Sequence, residues 1–294
     1  MFLMYFGNFL LNKGYISKEK FKEIIDAVEN SRPRIGVIAL HLGYLKPEDI
    51  ERITLEQQKQ NKKFGEIAVE LGLLTKEQLD TILSQQPREF LTLSQVLIDR
   101  EIFTYEELEK ALNEFKEENQ LSDDVLDSLR SDDVKKIIEK FVSKEHALGQ
   151  EITEYLTVFV NSFIRFITRN VMIQSDELSN ISDPLKISYQ KIKGEINFDT
   201  YFIIPDETSA REFTKKYAKV SEELIDDVLD DSINEYLNLV NGLAIVNFSE
   251  MEVNCELEPP LLVNNINATM SNGDHLLSKI ETDFGNMHIL IIPR

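Results

Sequence analysis

The stretch Asp231-Ser-Ile-Asn-Glu-Tyr-Leu-Asn-Leu-Val-Asn-Gly-Leu-Ala244 organises the second half of this chain of 294 residues. Glu235 and Asn238 lie three residues apart, so a helix places both on one face. A carboxylate beside an amide can bind a lysine and orient a water molecule. The alternative is an ordinary solvated face on an amphipathic helix. The apolar residues recur at the spacing of a buried helical stripe: Ile233, Leu237, Val240 and Ala244.

The sequence around this helix predicts a layered domain over residues 150–294. A long apolar helix is predicted over 150–173, and two strands over 184–192 and 195–204 form a hairpin. A short helix over 206–217 precedes the helix quoted above, and four further strands follow it. This order predicts an α/β sandwich with a mainly antiparallel sheet.

Glu235-x-x-Asn238, followed by Asn241-Gly242, resembles the signature helix of the CheC/CheX/FliY family of chemotaxis phosphatases. The likeness covers residues 150–294 and is closest to the CheX-like branch. A fainter echo on the first helix has Thr157 where the amide would stand, which favours one active face rather than two. The resemblance implies the CheX-like fold and a hydrolase, a phosphatase of phospho-aspartate on a CheY-type receiver domain in chemotaxis or motility signalling.

The resemblance also implies the roles of Glu235 and Asn238 as the catalytic residues. Asn238 would hold the attacking water, because an amide binds water without adding negative charge beside the phosphoryl group. Glu235 would pair with the receiver's lysine. The protein would need no cofactor of its own, since the receiver brings a divalent metal. CheX-like proteins often dimerise, so a homodimer is an expectation. The alternative is a non-catalytic adaptor that binds a receiver or a flagellar or pilus component.

The composition narrows the class of partner. A net charge of −20 argues against nucleic acid and against anionic membrane surfaces. The single cysteine, Cys255, permits no disulfide within the chain and suits a reducing cytoplasm. No metal site is predicted, because the four histidines show no ligand spacing. The most apolar predicted helix contains asparagine and arginine, so a core helix is favoured over a membrane span.

The first half of the chain repeats with a period of 29 residues. Glycines recur at Gly14, Gly43 and Gly72, and Glu101 occupies that position in a fourth copy. Each copy predicts a short helix, a glycine stop, a capped turn and a longer helix. Thr75 and Thr104 begin capping boxes. One such unit cannot bury its apolar face alone, so its neighbours must pack against it.

The middle two copies resemble the tandem motifs of the MshEN domain of type II secretion and type IV pilus ATPases. Some members bind cyclic di-GMP, with arginine on guanine and the backbone close to the ligand at glycine. Lys63 replaces the second arginine here and lacks its planar fork. No Walker A pattern occurs. A helical repeat used for protein contacts is the alternative. The candidate ligand positions are Arg34, Gly36, Gly43, Gln57, Lys63, Gly65, Gly72 and Gln86.

The predicted organisation therefore has three parts. Residues 1–115 form the MshEN-like α-helical repeat domain, expected to be a sensory or localising module. Residues 116–149 form an acidic helical connector with doubled aspartates. Residues 150–294 form the CheX-like domain.

Overall fold

A computed structural model describes residues 1–31, 34–57, 63–84, 89–142, 149–181, 183–266 and 275–294. The chain divides into two compact units, Phe2–Ser131 and Asp132–Arg294. The boundary between the units lies inside residues 116–149, the predicted connector, so each unit contains part of that segment. In the described ranges, no helix combines the length and apolar character needed to cross a membrane.

The first unit is entirely helical over its described residues. The final residues of its short helices and the first residues of its longer helices each recur every 29 residues. The helices are α1 (Phe2–Asn12), α2 (Lys18–Glu29), α3 (Ile35–His41), α4 (Pro47–Gln57), α5 (Phe64–Glu70), α6 (Lys76–Ser84), α7 (Glu89–Asp99), α8 (Tyr105–Glu118) and α9 (Asp123–Ser131).

Backbone geometry at the turns follows the predicted repeat. Gly72 has a φ of +69°, and Glu101 has a φ of +55° at the equivalent position of the fourth copy. This left-handed conformation ends each short helix, as glycine usually does at a helix C-terminus. The capping box at Thr104 is confirmed: its hydroxyl accepts from the Glu107 N–H at 3.2 Å, and the Glu107 carboxylate accepts from the Thr104 N–H at 2.8 Å.

The first and fourth copies contact each other, so the unit is not a linear stack of neighbours. The ring of Phe2 lies 4.8 Å from that of Phe90, and the ring of Phe6 lies 5.4 Å from that of Phe115. Helices α1 and α7 are therefore buried on most of their surface. This explains why the first residues of the chain are so apolar.

The second unit contains one sheet with helices packed on it. All described strand pairs are antiparallel, in the order β1-β6-β7-β3-β2-β4, with β5 also pairing with β2. The elements are α10 (Val134–Phe141), α11 (Gln150–Phe166), β1 (Val171–Ser175), β2 (Lys186–Gly194), β3 (Phe198–Ile204), α12 (Glu207–Ala218), α13 (Ile225–Glu250), β4 (Cys255–Leu257), β5 (Leu261–Leu262), β6 (Leu276–Thr282) and β7 (Asn286–Pro293).

Two features differ from the sequence prediction. The first helix ends at Phe166 rather than continuing to residue 173, and β1 follows it as an edge strand paired with β6. The apolar run of β1 does not distinguish a buried helix from a buried strand. Helix α10, expected in the connector, packs against α11 and β1 through a buried apolar face that includes Ile137 and Ile138.

An aromatic core joins the helices to one face of the sheet. The ring of Tyr236 on α13 is fully buried and lies 5.2–5.8 Å from those of Phe159, Phe202 and Phe213. These rings come from α11, β3 and α12, so one residue holds three elements to α13. The other face of the sheet carries a second apolar cluster that includes Tyr201.

Candidate functional site

The exposed face of α13 carries the two residues singled out from the sequence. Glu235 and Asn238 are exposed, whereas Tyr236 and Leu237 between them are fully buried. Because Tyr236 and Leu237 pack into the core, α13 can expose only the face that carries Glu235 and Asn238. The structure therefore brings Glu235 and Asn238 together at the surface, one helical turn apart.

Glu235 is an exposed carboxylate that has neither a hydrogen bond nor an ion pair with any described residue. Its negative charge acts on Tyr217 of α12. Burial, and then the negative charge of Glu235, raise the pKa of the Tyr217 phenol. The carboxylate is thus held near the surface but is free to accept a cation from a partner.

Asn238 is exposed, but a buried side chain of the sheet fixes its side chain through a hydrogen bond. Its Oδ1 accepts a hydrogen bond from Nε2 of Gln190 on β2 at 2.7 Å. Gln190 is fully buried, and the same Nε2 donates to the carbonyl oxygen of Glu258 at 2.7 Å. An amide oxygen has two lone pairs and the nitrogen has two N–H groups. Asn238 therefore keeps one acceptor position and both donors for solvent or a partner.

The direction of these hydrogen bonds is set by backbone carbonyls. The Glu258 carbonyl can only accept, so the nitrogen of Gln190 must face it, and Asn238 must then present its oxygen. The oxygen of Gln190 accepts from Nδ2 of Asn241 at 2.8 Å. The Thr200 hydroxyl donates its proton to the backbone carbonyl oxygen of Gln190 at 2.8 Å. The hydroxyl oxygen therefore accepts a hydrogen bond from Nδ2 of Asn241, at 2.9 Å. The network has one consistent orientation.

Asn241, which the sequence comparison placed in the signature, is the buried centre of this network. Its Oδ1 accepts from the Tyr155 hydroxyl on α11 at 2.7 Å. Asn241 and Tyr155 are both fully buried, and burial raises the pKa of the Tyr155 phenol, which stays protonated and donating. Asn241 thus joins α11, α13 and two strands, which is a structural role.

A regular series of polar contacts places α13 along β2. Lys186 pairs with Asp230 at 2.6 Å, and the Ser188 hydroxyl donates to Asn234 at 2.6 Å. Gln190 and Asn238 continue the series. Each step is two residues on the strand and four on the helix. Two strand residues rise about 6.6 Å and four helical residues rise about 6 Å, so the two periods nearly match.

The sequence reading missed Gln190 as part of the site. The strand alternates between apolar and polar residues, which predicts that Ser188 and Gln190 face solvent. Both are fully buried beneath α13 instead. One sequence signal could have indicated Ser188 and Gln190. The strand has a polar residue at every second position, and the helix has a polar residue at every fourth position.

Gly242 and Asp231 lie near Glu235 and Asn238 on the same helix. A Cβ at Gly242 would meet no described atom within 4 Å, so packing within the chain does not require a glycine at this position. Space at this point of the helix is open to a partner. Asp231 is exposed and has no hydrogen-bond or ion-pair partner among the described residues.

The candidate cyclic di-GMP positions that the structure describes lie in α3, in α5, in their flanking turns and, for Gln57, at the last residue of α4. Arg34 pairs with Asp99 at 3.0 Å, Lys63 is exposed and Gln57 is half-buried. A Cβ at Gly36 would lie 3.3 Å from Phe64, and one at Gly65 would lie 2.7 Å from Leu79.

These contacts explain the two helix-packing glycines without a ligand. Gly43 and Gly72 have positive φ values and end their helices, and Gln86 lies outside the described residues. Binding of cyclic di-GMP stays a prediction.

Among the residues that the structure describes, no group of three or more histidine, cysteine or acidic side chains could hold a metal ion. Cys255 is a free, partly buried thiol in β4, with its sulfur 3.9 Å from the Ile196 carbonyl oxygen. The exposed face of α13 with Glu235 and Asn238 is the candidate site.

Comparison with known proteins identifies the class of the second unit. The family profile described as "Chemotaxis phosphatase CheX" matches residues 187–280, which include Gln190, Glu235, Asn238 and Asn241. The C-terminal part of the chain thus contains a CheX domain. No curated protein matches the chain significantly.

Three of the solved structures to which part of this chain is similar are CheC-like or CheX proteins. A CheC-like superfamily protein from Shewanella sp. PV-4 is 18% identical, with a TM-score of 0.42, and the match covers 50% of this chain and 99% of that one. The chemotaxis protein CheX from Vibrio vulnificus is 15% identical, with a TM-score of 0.42, covering 50% and 100%. The CheX–CheY–BeF3–Mg2+ complex from Borrelia burgdorferi is 15% identical, with a TM-score of 0.41, covering 49% and 98%.

Proposed function

We propose that the second unit is a phosphatase that hydrolyses phospho-aspartate on a CheY-type receiver domain. One observation carries the proposal: an unpaired exposed carboxylate stands one turn before an exposed amide that is held by a buried hydrogen bond. The CheX family profile covers this arrangement. The first unit serves as a sensory or localising module in this proposal.

The reaction is attack of water on the acyl phosphate. The new bond joins the water oxygen to phosphorus as the bond to the aspartate oxygen breaks, and inorganic phosphate and a free carboxylate result. Asn238 orients the water through its free lone pair and N–H groups. It does not remove a proton, since an amide is no base. Gln190 keeps the amide in one rotamer, so little entropy is lost as the water is aligned.

Glu235 has a docking role in this proposal. Its free carboxylate pairs with the lysine of the receiver's site, while the receiver also supplies the divalent cation for the phosphoryl oxygens. The open space at Gly242 lets the receiver's surface approach the helix.

Phosphate release tests the proposal. A CheY-type receiver from the same organism is charged with acetyl phosphate, and its dephosphorylation is followed with the full-length chain. We expect Asn238→Ala to lower the catalytic rate by about 100-fold, as misplacement of a reacting water does. Asn238→Asp should fail equally, because it adds charge beside the phosphoryl group.

Glu235→Ala should instead weaken receiver binding by about tenfold or more, as loss of an interfacial charge pair does. Glu139→Ala removes an exposed carboxylate from α10 and serves as the matched control, with unchanged rate and affinity. If the wild-type chain binds the phosphorylated receiver without accelerating phosphate release, the phosphatase proposal fails and the unit is an adaptor.

A further inference from the structure

A cavity of about 180 Å³ opens within the first unit, between α3, α7 and α8. One part of its wall is apolar and includes Val37, Leu91 and Leu112. Ser94 and Arg130 also line it, and Glu109 lies at its exposed rim. None of the candidate cyclic di-GMP positions lines this cavity, and a cyclic dinucleotide is far larger than its volume.

The guanidinium of Arg130 is the unusual part of this wall. The side chain is only 19% exposed, and its guanidinium carbon lies 4.5 Å from the centre of the Phe90 ring. The Nε atom is buried and has no hydrogen-bond partner among the described residues. Its ion-pair partner among these residues is Asp127, at 3.3 Å, whose side chain is 72% exposed.

This arrangement leaves a buried cation with little compensation. Burial lowers the pKa of the Arg130 guanidinium despite the neighbouring carboxylates. An exposed partner such as Asp127 is screened by water and offsets little of that desolvation. The Phe90 ring contributes a cation–π contact but cannot accept the Nε hydrogen bond. An anionic oxygen inside the cavity would offset the charge of the guanidinium and accept the Nε hydrogen bond.

We propose that this cavity binds a small monocarboxylate with an apolar body, its carboxylate on Arg130 and its body against the apolar wall. A cavity of about 150 Å³ accommodates benzene, so an apolar body of about that size fits here. Arginine is suited to this task, because its planar fork matches a carboxylate.

Calorimetric titration of the full-length chain tests the assignment with benzoate and hexanoate against benzamide and hexanamide. The amides have the same shape without the charge. We expect both acids to bind in about the millimolar range or tighter, and at least about tenfold more tightly than the amides, as a charge-assisted hydrogen bond provides. Methyl NMR shifts at Val37, Leu91 and Leu112 should report the binding.

Arg130→Met retains the apolar stem and should abolish the preference for the acids. Arg52→Met removes an exposed arginine from α4 and should bind like the wild type. If Arg130→Met does not fold, Arg130→Lys carries the test, and we expect weaker binding because the fork is lost. The proposal is overturned if neither acid saturates the wild type, if amides bind equally, or if affinity survives the change at Arg130.

Discussion

In the unit Phe2–Ser131, the turns that recur with the repeat are fixed by groups within a few positions of them, as in the Thr104–Glu107 capping box. In the unit Asp132–Arg294, the side chains that hold α13 lie 41 to 86 positions away along the chain. The first arrangement is local and is repeated at a fixed period. The second is a single long-range network.

The difference has a consequence for function. A network of amides with one consistent polarity can hold a surface side chain in one orientation, as Gln190 holds Asn238. Repeated local caps stabilise helices but select no particular surface residue. The candidate catalytic face therefore lies where the long-range contacts converge.

The largest effect is expected where the network is broken at its centre. Asn241→Leu removes one accepted and two donated hydrogen bonds and leaves Tyr155 and Gln190 with buried unsatisfied groups. We expect a loss of about 3 kcal/mol or more of unfolding free energy, measured by urea denaturation. Hydrogen exchange should show the loosening in β2, β3 and α13.

Asn238→Ala is the matched control for that variant, because this amide lies three residues away but is exposed. We expect it to cost no more than about 1 kcal/mol while reducing phosphatase activity, because water can replace the exposed amide as the acceptor for one N–H of Gln190. Equal stability losses for the two variants would mean that the buried network is not what distinguishes them.

Gly7, Gly36 and Gly65 occupy equivalent positions in the short helices of successive copies, 29 residues apart. A Cβ at Gly7 would lie 2.1 Å from the Phe21 ring, against 2.7 Å from Leu79 at Gly65. We expect Gly7→Ala to cost about 1–3 kcal/mol by overpacking and Gly65→Ala less, because the Leu79 side chain can move. The urea midpoints of the single variants measure this order.

Gly36→Ala is expected to change the stability in the opposite direction from Gly7→Ala. Its closest contact to a built Cβ is 3.3 Å from Phe64, so Gly36→Ala should be neutral or stabilising by up to about 1 kcal/mol through helix propensity. Adding Phe21→Leu to Gly7→Ala should restore part of the loss. Three equal effects would contradict a packing origin for these glycines.

The smallest effect concerns the left-handed turn residue of each copy. Glu101→Gly should stabilise the first unit by about 0.5–1 kcal/mol, because glycine adopts a φ of +55° without the penalty of a side chain. Gly72→Ala should cost about 1 kcal/mol, and no described atom lies within 4 Å of its Cβ, so the backbone alone is responsible. Thermal midpoints of the two variants should shift in opposite directions.

The sequence predicted the helical first half, the antiparallel sheet of the second half and the helix with Glu235 and Asn238. These features depend on periodicity and caps, which act over a few residues. The end of α11 and the strand β1 were missed, because a short apolar run fits a helix or a strand equally well. The MshEN-like nature of the repeat stays a prediction.

The sequence by itself determined where the repeated helices of the first unit begin and end and which face of α13 is buried. Local hydrogen bonding and the spacing of apolar residues are sufficient for that. Only the tertiary structure decided that Gln190 and Thr200 are buried rather than solvated, and that the first and fourth copies meet. The physical reason is that a polar strand face has the same sequence pattern whether water or a polar helix covers it. Which of the two covers it depends on residues far away along the chain.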